Sequence, residues 1–147
     1  LTNKIKLNKK NSMLKIALNN FCFKTIKKEE IIIKSNLMEK RNYVSIYDFV
    51  NFIEESFIIR KIKFPSIINF ASEKVINLKK IITIIKKQSL KLGIKEPLFK
   101  VKKNIKTSNI NYNFDLKYIR KNNVLPKIKI DDEILNLLTI INKKIND

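Results

Sequence analysis

The stretch that decides the expected fold is FIIRKIKFPSIINFASEKVINLKKIITIIKKQSLKLGIKEPLFKV, residues 57–101. It opens on β-branched and basic residues, which predict a strand that ends at Pro65, because proline cannot donate to a strand ladder. Ser72 is placed to cap a long helix over residues 72–92. Gly93, the one glycine of the chain, stands where a left-handed residue closes a helix. The expected order is strand, helix and then an extended basic arm.

The predicted helix has two faces of opposite character when it is drawn at 3.6 residues per turn. The side chains that share its apolar face are Val75, Leu78, Ile81, Ile82, Ile85 and Leu92. The opposite face carries Lys80, Lys87 and Lys91, with Lys79 and Lys86 on its flank. We expect this helix to pack its apolar face inward and to present its lysines to an anionic partner. The alternative is that the lysines form a solvated surface in a chain rich in A/T-coded residues.

The segment after Gly93 keeps the positive charge and loses the helical pattern. Its basic residues are Lys95, Lys100, Lys102, Lys103, Lys106, Lys117, Arg120, Lys121, Lys127 and Lys129, against the acidic pair Glu96 and Asp115. Amides and hydroxyls are interleaved with Phe99, Tyr112, Phe114 and Tyr118, and we expect each of these aromatics to pack rather than to stack on bases. Lysines neutralise phosphates while amides bond phosphate and sugar oxygens, so this composition is typical of a segment lying along RNA.

The residues expected to contact RNA lie on the outer face of the long helix and on the arm. They are Lys80, Lys87, Lys91, Lys95, Lys100, Lys102, Lys103, Lys106, Arg120 and Lys121. Only three of the 32 basic residues are arginines, which disfavours bidentate reading of base edges and therefore sequence-specific DNA recognition.

The residues before this stretch predict a β-rich extension. Residues 1–12 are polar and basic, as in an extended tail. Leu14, Ile16 and Leu18 alternate, Asn19-Asn20 can turn, and Phe21 and Phe23 can begin a second strand. The run Ile31 to Ile33 predicts a short buried strand. Residues 13–56 are therefore expected to form short strands and one helix.

That helix is expected to begin at Ser45, which can cap its first turn. Ile46, Phe49, Val50 and Ile53 share one face at helical spacing. Asp48, Glu54 and Glu55 form the densest acidic group of the chain. They could be a carboxylate pair for acid–base work or magnesium. Alternatively they could have a structural role, on the solvated side of a helix or in contact with a basic neighbour. The second interpretation is favoured, because nothing nearby completes a site.

The last part of the chain predicts a strand over VLPKIKI, residues 124–130, and a helix from Asp131 or Asp132. Acidic residues at the start of that helix suit the positive end of its dipole. Its apolar stripe would consist of Ile134, Leu137, Leu138, Ile141 and Ile145.

Composition points to a polyanion partner. The formal net charge is +19, with 32 Lys and Arg against 13 Asp and Glu. Lysine, isoleucine and asparagine together make up 76 residues, a usage that favours A/T-rich codons. Codon bias alone does not explain the charge, because asparagine is also A/T-coded and is neutral. Leu1 in place of Met fits a processed N-terminus, an incomplete sequence or a non-standard start codon. With the codon usage, the last of these favours a protein encoded in a mitochondrion or a related organelle.

Several chemistries lack their usual residues. The sequence has no histidine, so the usual zinc sets and imidazole catalysis are excluded. Cys22 is the lone cysteine and is expected to be a small apolar core residue. No cofactor, metal or small-molecule substrate is expected. The most apolar run, residues 57–71, is interrupted by three basic residues, so no transmembrane insertion is expected.

From residue 57 onward the order of elements is most of a split β-α-β, ferredoxin-like unit. It resembles the tenth protein family of the small ribosomal subunit, a ferredoxin-like domain with a basic hairpin that reaches into ribosomal RNA. The matching segments are KIKFPSI (61–67), SEKVINLKKIITIIKKQSLKLG (72–93), EPLFKVKKN (96–104), LKYIRKNNVLPKIKI (116–130) and DDEILNLLTIIN (131–142). They correspond in turn to the first strand, first helix, hairpin entry, returning strand and second helix.

The resemblance implies an α+β fold, with residues 57–147 as an RNA-binding domain and residues 94–115 as its basic arm. Pro97 and the lysines at positions 100, 102, 103 and 106 would lie on the hairpin, and Arg120 and Lys121 on the returning strand. The chain departs from the family where Glu96 replaces a glycine before the hairpin proline, and it lacks the family's serine-proline-histidine signature.

The sequence therefore favours a structural, non-enzymatic constituent of a mitochondrial ribosome, in the small subunit. Its partners would be ribosomal RNA and neighbouring ribosomal proteins. One alternative is a non-catalytic structural subunit of a membrane-bound organelle complex, with its basic residues facing lipid headgroups or acidic neighbours. Another is an enzyme acting on nucleic acid, which would need carboxylates that converge in the fold.

Overall fold

The computed structural model describes residues 16–102 and 113–146. The chain has an α+β architecture and divides into two compact units, each assembled from separated segments. The described residues of the first unit are 16–35, 82–102 and 134–146, and those of the second are 36–81 and 113–133. The predicted boundary between residues 56 and 57 falls inside the second unit. The predicted tail and residues 103–112 of the predicted arm lie outside the described residues.

The described helices and strands follow one another in a mixed order. They are α1 (Ala17–Ile26), β1 (Ile31–Ile33), β2 (Lys40–Asn42), α2 (Ile46–Ile53), a π-helical segment (Glu54–Ile59), β3 (Val75–Asn77), α3 (Leu78–Lys91), β4 (Phe99–Val101), α4 (Lys117–Lys121) and α5 (Ile130–Asn146). Apart from their first turns, α3 and α5 belong to the first unit.

Helix α1 replaces the strands predicted around Leu18 and Phe21, so that prediction is wrong. Leu18, Cys22 and Ile26 recur every four residues and are all buried, as is Phe23 beside them. These positions lie on one side of a helix, and this 3.6-residue period outweighs the short alternation that suggested a strand.

The predicted strand Ile31–Ile33 is confirmed as β1, with Ile31 and Ile33 buried and Ile32 exposed. It pairs in parallel with β4, and Ile31 lies opposite Phe99. Ladder bonds extend the pairing at both ends: the Ile31 N–H donates to the Leu98 carbonyl and the Lys102 N–H donates to the Ile33 carbonyl, both at 3.0 Å. The beginning of the basic arm is therefore fixed to β1 by its backbone.

Helix α3 begins six residues later than predicted, because residues 75–77 form β3 and pair with β2 in antiparallel fashion. Asn77, not Ser72, caps the helix: its Oδ1 accepts from the Lys80 N–H at 2.9 Å. The N–H groups of Leu78 and Lys79 donate to the carbonyls of Glu39 and Leu37 at 3.1 and 2.9 Å. The donors of the first turn are thus satisfied by the chain before β2.

The left-handed end predicted at Gly93 is confirmed, with φ at +68°. The Gly93 N–H donates to the Leu90 carbonyl and the Ile94 N–H to the Ser89 carbonyl, which is the Schellman arrangement. Other helices end in the same way without glycine. Lys28 (φ 56°) closes α1 and Asn123 (φ 55°) closes α4, each with the equivalent pair of hydrogen bonds.

The core of the second unit is built around Phe52, whose ring stacks on Phe70 at 4.4 Å and lies 5.6 Å from Phe64. The buried residues packed with it are Ala71, Leu116, Ile119 and Val124. Phe114 and Leu125 pack against this cluster from its edge. The cluster joins residues 52–71 to α4 and the chain that follows it.

Two strands predicted in this unit are wrong. The first, residues 57–64, begins inside the π-helical segment, where the Ile62 N–H donates to the Ser56 carbonyl at 2.7 Å. Phe57 stays in the helix because its ring packs on Phe52 and Phe64. In the second, residues 124–130, the backbone N–H groups of Lys127 and Ile128 donate to the Asp48 side chain. This segment therefore does not pair as a strand.

Arg120 and Lys121, predicted on that returning strand, lie instead in α4. The described strands form two separate two-stranded sheets, β1 with β4 and β2 with β3. The ferredoxin-like arrangement is therefore not confirmed by the residues that the structure describes.

The helix predicted at Ser45 is confirmed, since Ser45 Oγ accepts from the Tyr47 N–H at 3.2 Å. Helix α5 is also confirmed and begins at Ile130. Of its predicted stripe, Ile134, Leu138 and Ile141 are buried, while Leu137 and Ile145 are partly exposed.

We expect Lys28→Gly to stabilise the protein by about 0.5–1 kcal/mol. A left-handed backbone costs an L-residue roughly 1–2 kcal/mol, which glycine avoids at a smaller cost in chain entropy. Urea unfolding at equilibrium measures the difference. Lys27→Gly is the matched control, because Lys27 has a right-handed φ of −73°, and it should destabilise the protein. Equal destabilisation by both substitutions would contradict a left-handed Lys28.

Candidate nucleic-acid interface

The two units differ in net charge mainly because they contain different numbers of carboxylates. The described residues of the first unit include 12 lysines and 3 glutamates, a net charge of +9. Those of the second unit include 13 basic and 9 acidic residues, a net charge of +4. The first unit is therefore the stronger candidate for contact with a polyanion.

The ten residues predicted to contact RNA do not fall in one unit. Lys87, Lys91, Lys95, Lys100 and Lys102 lie in the first, whereas Lys80, Arg120 and Lys121 lie in the second. Lys103 and Lys106 lie outside the described residues. All eight described side chains are exposed.

Two of these predicted residues already have carboxylate partners. Lys100 Nζ lies 2.6 Å from Glu30 Oε1. The Arg120 guanidinium donates from Nη2 and Nε to Glu73 Oε1, at 2.8 and 3.1 Å. Lys86, on the flank of the lysine face, is paired with Glu96 at 2.6 Å. These cations are partly neutralised, so a phosphate would have to compete for them.

Nine exposed lysines of the first unit have no ion pair among the described residues, and we call them the unpaired lysine set. They are Lys27, Lys28, Lys34, Lys87, Lys91, Lys95, Lys102, Lys143 and Lys144. Lys87 and Lys91 lie one turn apart on α3, about 6 Å along its axis. Lys95 follows the helix end, and Lys102 is fixed through its backbone N–H to Ile33.

Sequence reasoning missed five members of this set. Lys27 and Lys28 form the end of α1, and their adjacency was the available signal. Lys143 and Lys144 occupy the last turn of α5, where cations also interact favourably with the helix dipole. Lys34 directly follows β1. Nothing in the sequence places these segments in the same unit as α3.

Two of the four aromatic side chains near the predicted arm, Phe99 and Phe114, are used for packing. The Phe99 ring meets the edge of Phe21 with the centroids 6.1 Å apart, and Phe114 packs on the core of the second unit. Tyr118 is half-exposed, and Tyr112 lies outside the described residues. The described part of the first unit therefore offers lysines rather than stacking platforms to a nucleic acid.

The Asp48 carboxylate has a structural role. It is only 7% exposed, and its two oxygens accept from the backbone N–H groups of Lys127 and Ile128, both at 3.0 Å. Glu54 and Glu55 line a cavity of about 370 Å³ together with Asp48, Arg60 and Lys127. Within residues 16–102 and 113–146, no group of three or more metal-ligating side chains could hold an ion.

Cys22 belongs to the core of the first unit and is fully buried. Burial raises the pKa of its thiol from 9.0 to about 12, because the thiolate would lose its hydration. A thiol in this environment is unreactive at neutral pH. The interpretation of Cys22 as a small apolar core residue therefore agrees with its surroundings.

No protein-family model matches this sequence, and no curated protein is significantly similar to it. None of the helices in the described part of the chain is both long and apolar enough to span a bilayer.

We expect Asp48→Asn to destabilise the protein by about 1–3 kcal/mol, because the amide has one acceptor oxygen for the two backbone N–H donors that the carboxylate now binds. The measurement is equilibrium unfolding in urea. Glu54→Gln is the control, since Glu54 is exposed and should change stability by less than about 0.5 kcal/mol. If the two variants unfold at the same urea concentration, the carboxylate does not hold the chain after α4.

Proposed function

We propose that this protein is a structural, RNA-binding constituent of a mitochondrial ribosome, and that it belongs to the small subunit. The observation that carries the RNA-binding part is the unpaired lysine set of the first unit. Twelve lysines and three glutamates leave a surface whose charge is not balanced from within. Phosphates supply the missing anions, and the released counterions favour binding.

The arrangement on α3 supports this proposal. Lys87 and Lys91 are four residues apart on one face, and like charges at this spacing destabilise a helix by roughly 0.2–0.5 kcal/mol. Neither has a carboxylate partner among the described residues. A phosphate between or beside them would remove the repulsion. Lys95 and Lys102 continue the cationic line along the chain after the helix.

The chemistry of this surface favours recognition of the phosphate backbone over recognition of bases. Lysine is a flexible point charge and does not form the rigid two-point contact that arginine makes with guanine. The aromatic rings in the described part of this unit are buried or packed on each other. Binding should therefore depend on charge and RNA shape more than on sequence.

The resemblance to the tenth small-subunit family is a part of the proposal that rests on sequence alone. The separate two-stranded sheets give no support to a ferredoxin-like core. The RNA-binding proposal does not need that core, because its lysines are placed by α1, β1, α3, β4 and α5.

The test of RNA binding is a salt titration of affinity for a structured RNA, followed by fluorescence anisotropy. Replacing Lys87, Lys91, Lys95 and Lys102 by glutamine should reduce the slope of log K against log salt by about 3, since each phosphate contact contributes roughly 0.7–0.9. The matched control replaces Lys40, Lys74, Lys117 and Lys129, four exposed lysines of the second unit. Equal losses from both variants would show that total charge, and not this surface, determines binding.

The ribosomal part of the proposal is tested by sedimentation of mitochondrial extracts in high salt. A ribosomal protein enclosed by RNA and other proteins should remain with the small subunit, and a weakly bound polycation should dissociate as salt rises. Release into the soluble fraction at moderate salt would contradict a role as a ribosomal constituent. So would sedimentation with a particle that contains no RNA.

A further inference from the structure

Helix α2 and the π-helical segment after it expose an apolar surface. Ile46, Val50, Ile53 and Phe57 are 63%, 53%, 40% and 50% exposed. They recur at three- and four-residue intervals, so they form one continuous line along the helix, which we call the apolar stripe. Tyr47, Phe49, Ile58 and Ile59 flank it and are also exposed.

The stripe faces outward because the other side of the helix is fixed. Asp48, Phe52 and Ser56 are buried, at positions that alternate with those of the stripe. Asp48 is bonded to two backbone N–H groups and Phe52 is at the centre of the aromatic core. A rotation of α2 that buried the stripe would break these contacts.

The exposed apolar area is comparable with the largest apolar patch of a typical monomer, and such a patch is often functional. Four stripe residues and four flanking ones, each about half-exposed, add up to several hundred Å², at roughly 100–200 Å² for a fully exposed side chain of this size. Contiguous patches of this size mark protein or membrane contact sites.

Positive charge lies at one end of the stripe. Arg60, Lys61 and Lys63 follow the π-helical segment and are all exposed. There is no carboxylate in the sequence from Ser56 to Ser72. Arg60 Nη1 donates to the Asn122 carbonyl at 2.7 Å, and among the described residues neither lysine has an ion pair.

The nearest acidic residues do not reverse this charge. Glu54 and Glu55 line the cavity that also contains Arg60 and Lys127. Against these two carboxylates, the exposed residues from Glu54 to Lys63 include three cations, and the described second unit has a net charge of +4.

We propose that the apolar stripe docks the second unit on the surface of an anionic lipid bilayer. Isoleucine and valine side chains would enter the boundary between headgroups and acyl chains, and Arg60, Lys61 and Lys63 would meet lipid phosphates. A second copy of the chain is a poorer occupant, because both copies carry a net charge of +19. The proposal goes beyond RNA binding and uses none of the unpaired lysine set.

The experiment uses the absence of tryptophan from the native chain. Val50→Trp places the only indole on the stripe. With phosphatidylcholine vesicles that contain phosphatidylglycerol, its emission should shift to shorter wavelength and be quenched by lipids brominated in their acyl chains. Leu90→Trp is the matched control, because Leu90 is an equally exposed apolar residue of the first unit, and its emission should not be quenched.

A second pair of variants separates apolar docking from general attraction of a cation to anionic lipid. Ile46→Asn, Val50→Gln and Ile58→Gln together should lower the vesicle partition coefficient at least ~10-fold at high salt. Leu90→Gln, Leu98→Gln and Ile140→Gln alter three exposed residues of the first unit and should leave it unchanged. At low salt, Lys61→Asn with Lys63→Gln should weaken binding about fivefold for each lysine.

Three results would overturn the proposal. Vesicle binding without quenching of the Val50→Trp emission would show that lysines alone attract the bilayer. A concentration-dependent emission shift without vesicles, together with dimers in sedimentation velocity, would assign the stripe to a second copy. No response to vesicles would leave a partner protein as the occupant. The RNA affinity of the same variants should not change. A failure of the bilayer proposal can therefore be distinguished from a failure of the RNA-binding proposal.

Discussion

The second unit depends on two polar side chains at the start of α2. Ser45 Oγ lies 3.0 Å from Glu133 Oε2 and also accepts from the first turn, while the Asp48 carboxylate takes the N–H groups of Lys127 and Ile128. These bonds connect positions about 80 residues apart in sequence. They also fix the rotation of α2 about its own axis. Asp48, Phe52 and Ser56 are held inward, and Ile46, Val50 and Ile53 are therefore exposed, which leaves apolar side chains on the outer side of an amphipathic helix.

The ends of helices could be predicted where a single residue type satisfies the backbone groups that a helix leaves unpaired. Ser45 as a cap, Gly93 as a left-handed end and the acidic start of α5 could all be predicted, since each satisfies backbone groups that a helix leaves unpaired. The structures of residues 16–26 and 57–64 could not be predicted in this way. Their apolar residues are so dense that both the helical and the strand period fit, and burial of Cys22 and the contacts of Phe57 decide the outcome.

Part of the candidate site could be predicted from the helical periodicity of the sequence. Lysines on the outer face of a strongly periodic helix, such as Lys87 and Lys91, are exposed as the pattern indicated. The contributions of α1 and α5 could not be foreseen, because they depend on which segments share a unit. Nor could the pairing of Lys100 with Glu30, which follows from the parallel register of β1 and β4.

A preference for A/T-rich codons would raise the number of lysines, but it would not decide where the carboxylates lie. The described residues of the two units have similar densities of basic side chains, 12 in 54 residues and 13 in 67, yet carry three and nine acidic ones. In the second unit carboxylates bind Arg120, Ser45 and backbone N–H groups, so much of its charge is balanced within the fold. A composition bias that acted evenly along the gene would not give the two units such different ratios of acidic to basic residues. The difference lies in the acidic residues, and it leaves the described residues of the first unit with the larger excess of positive charge.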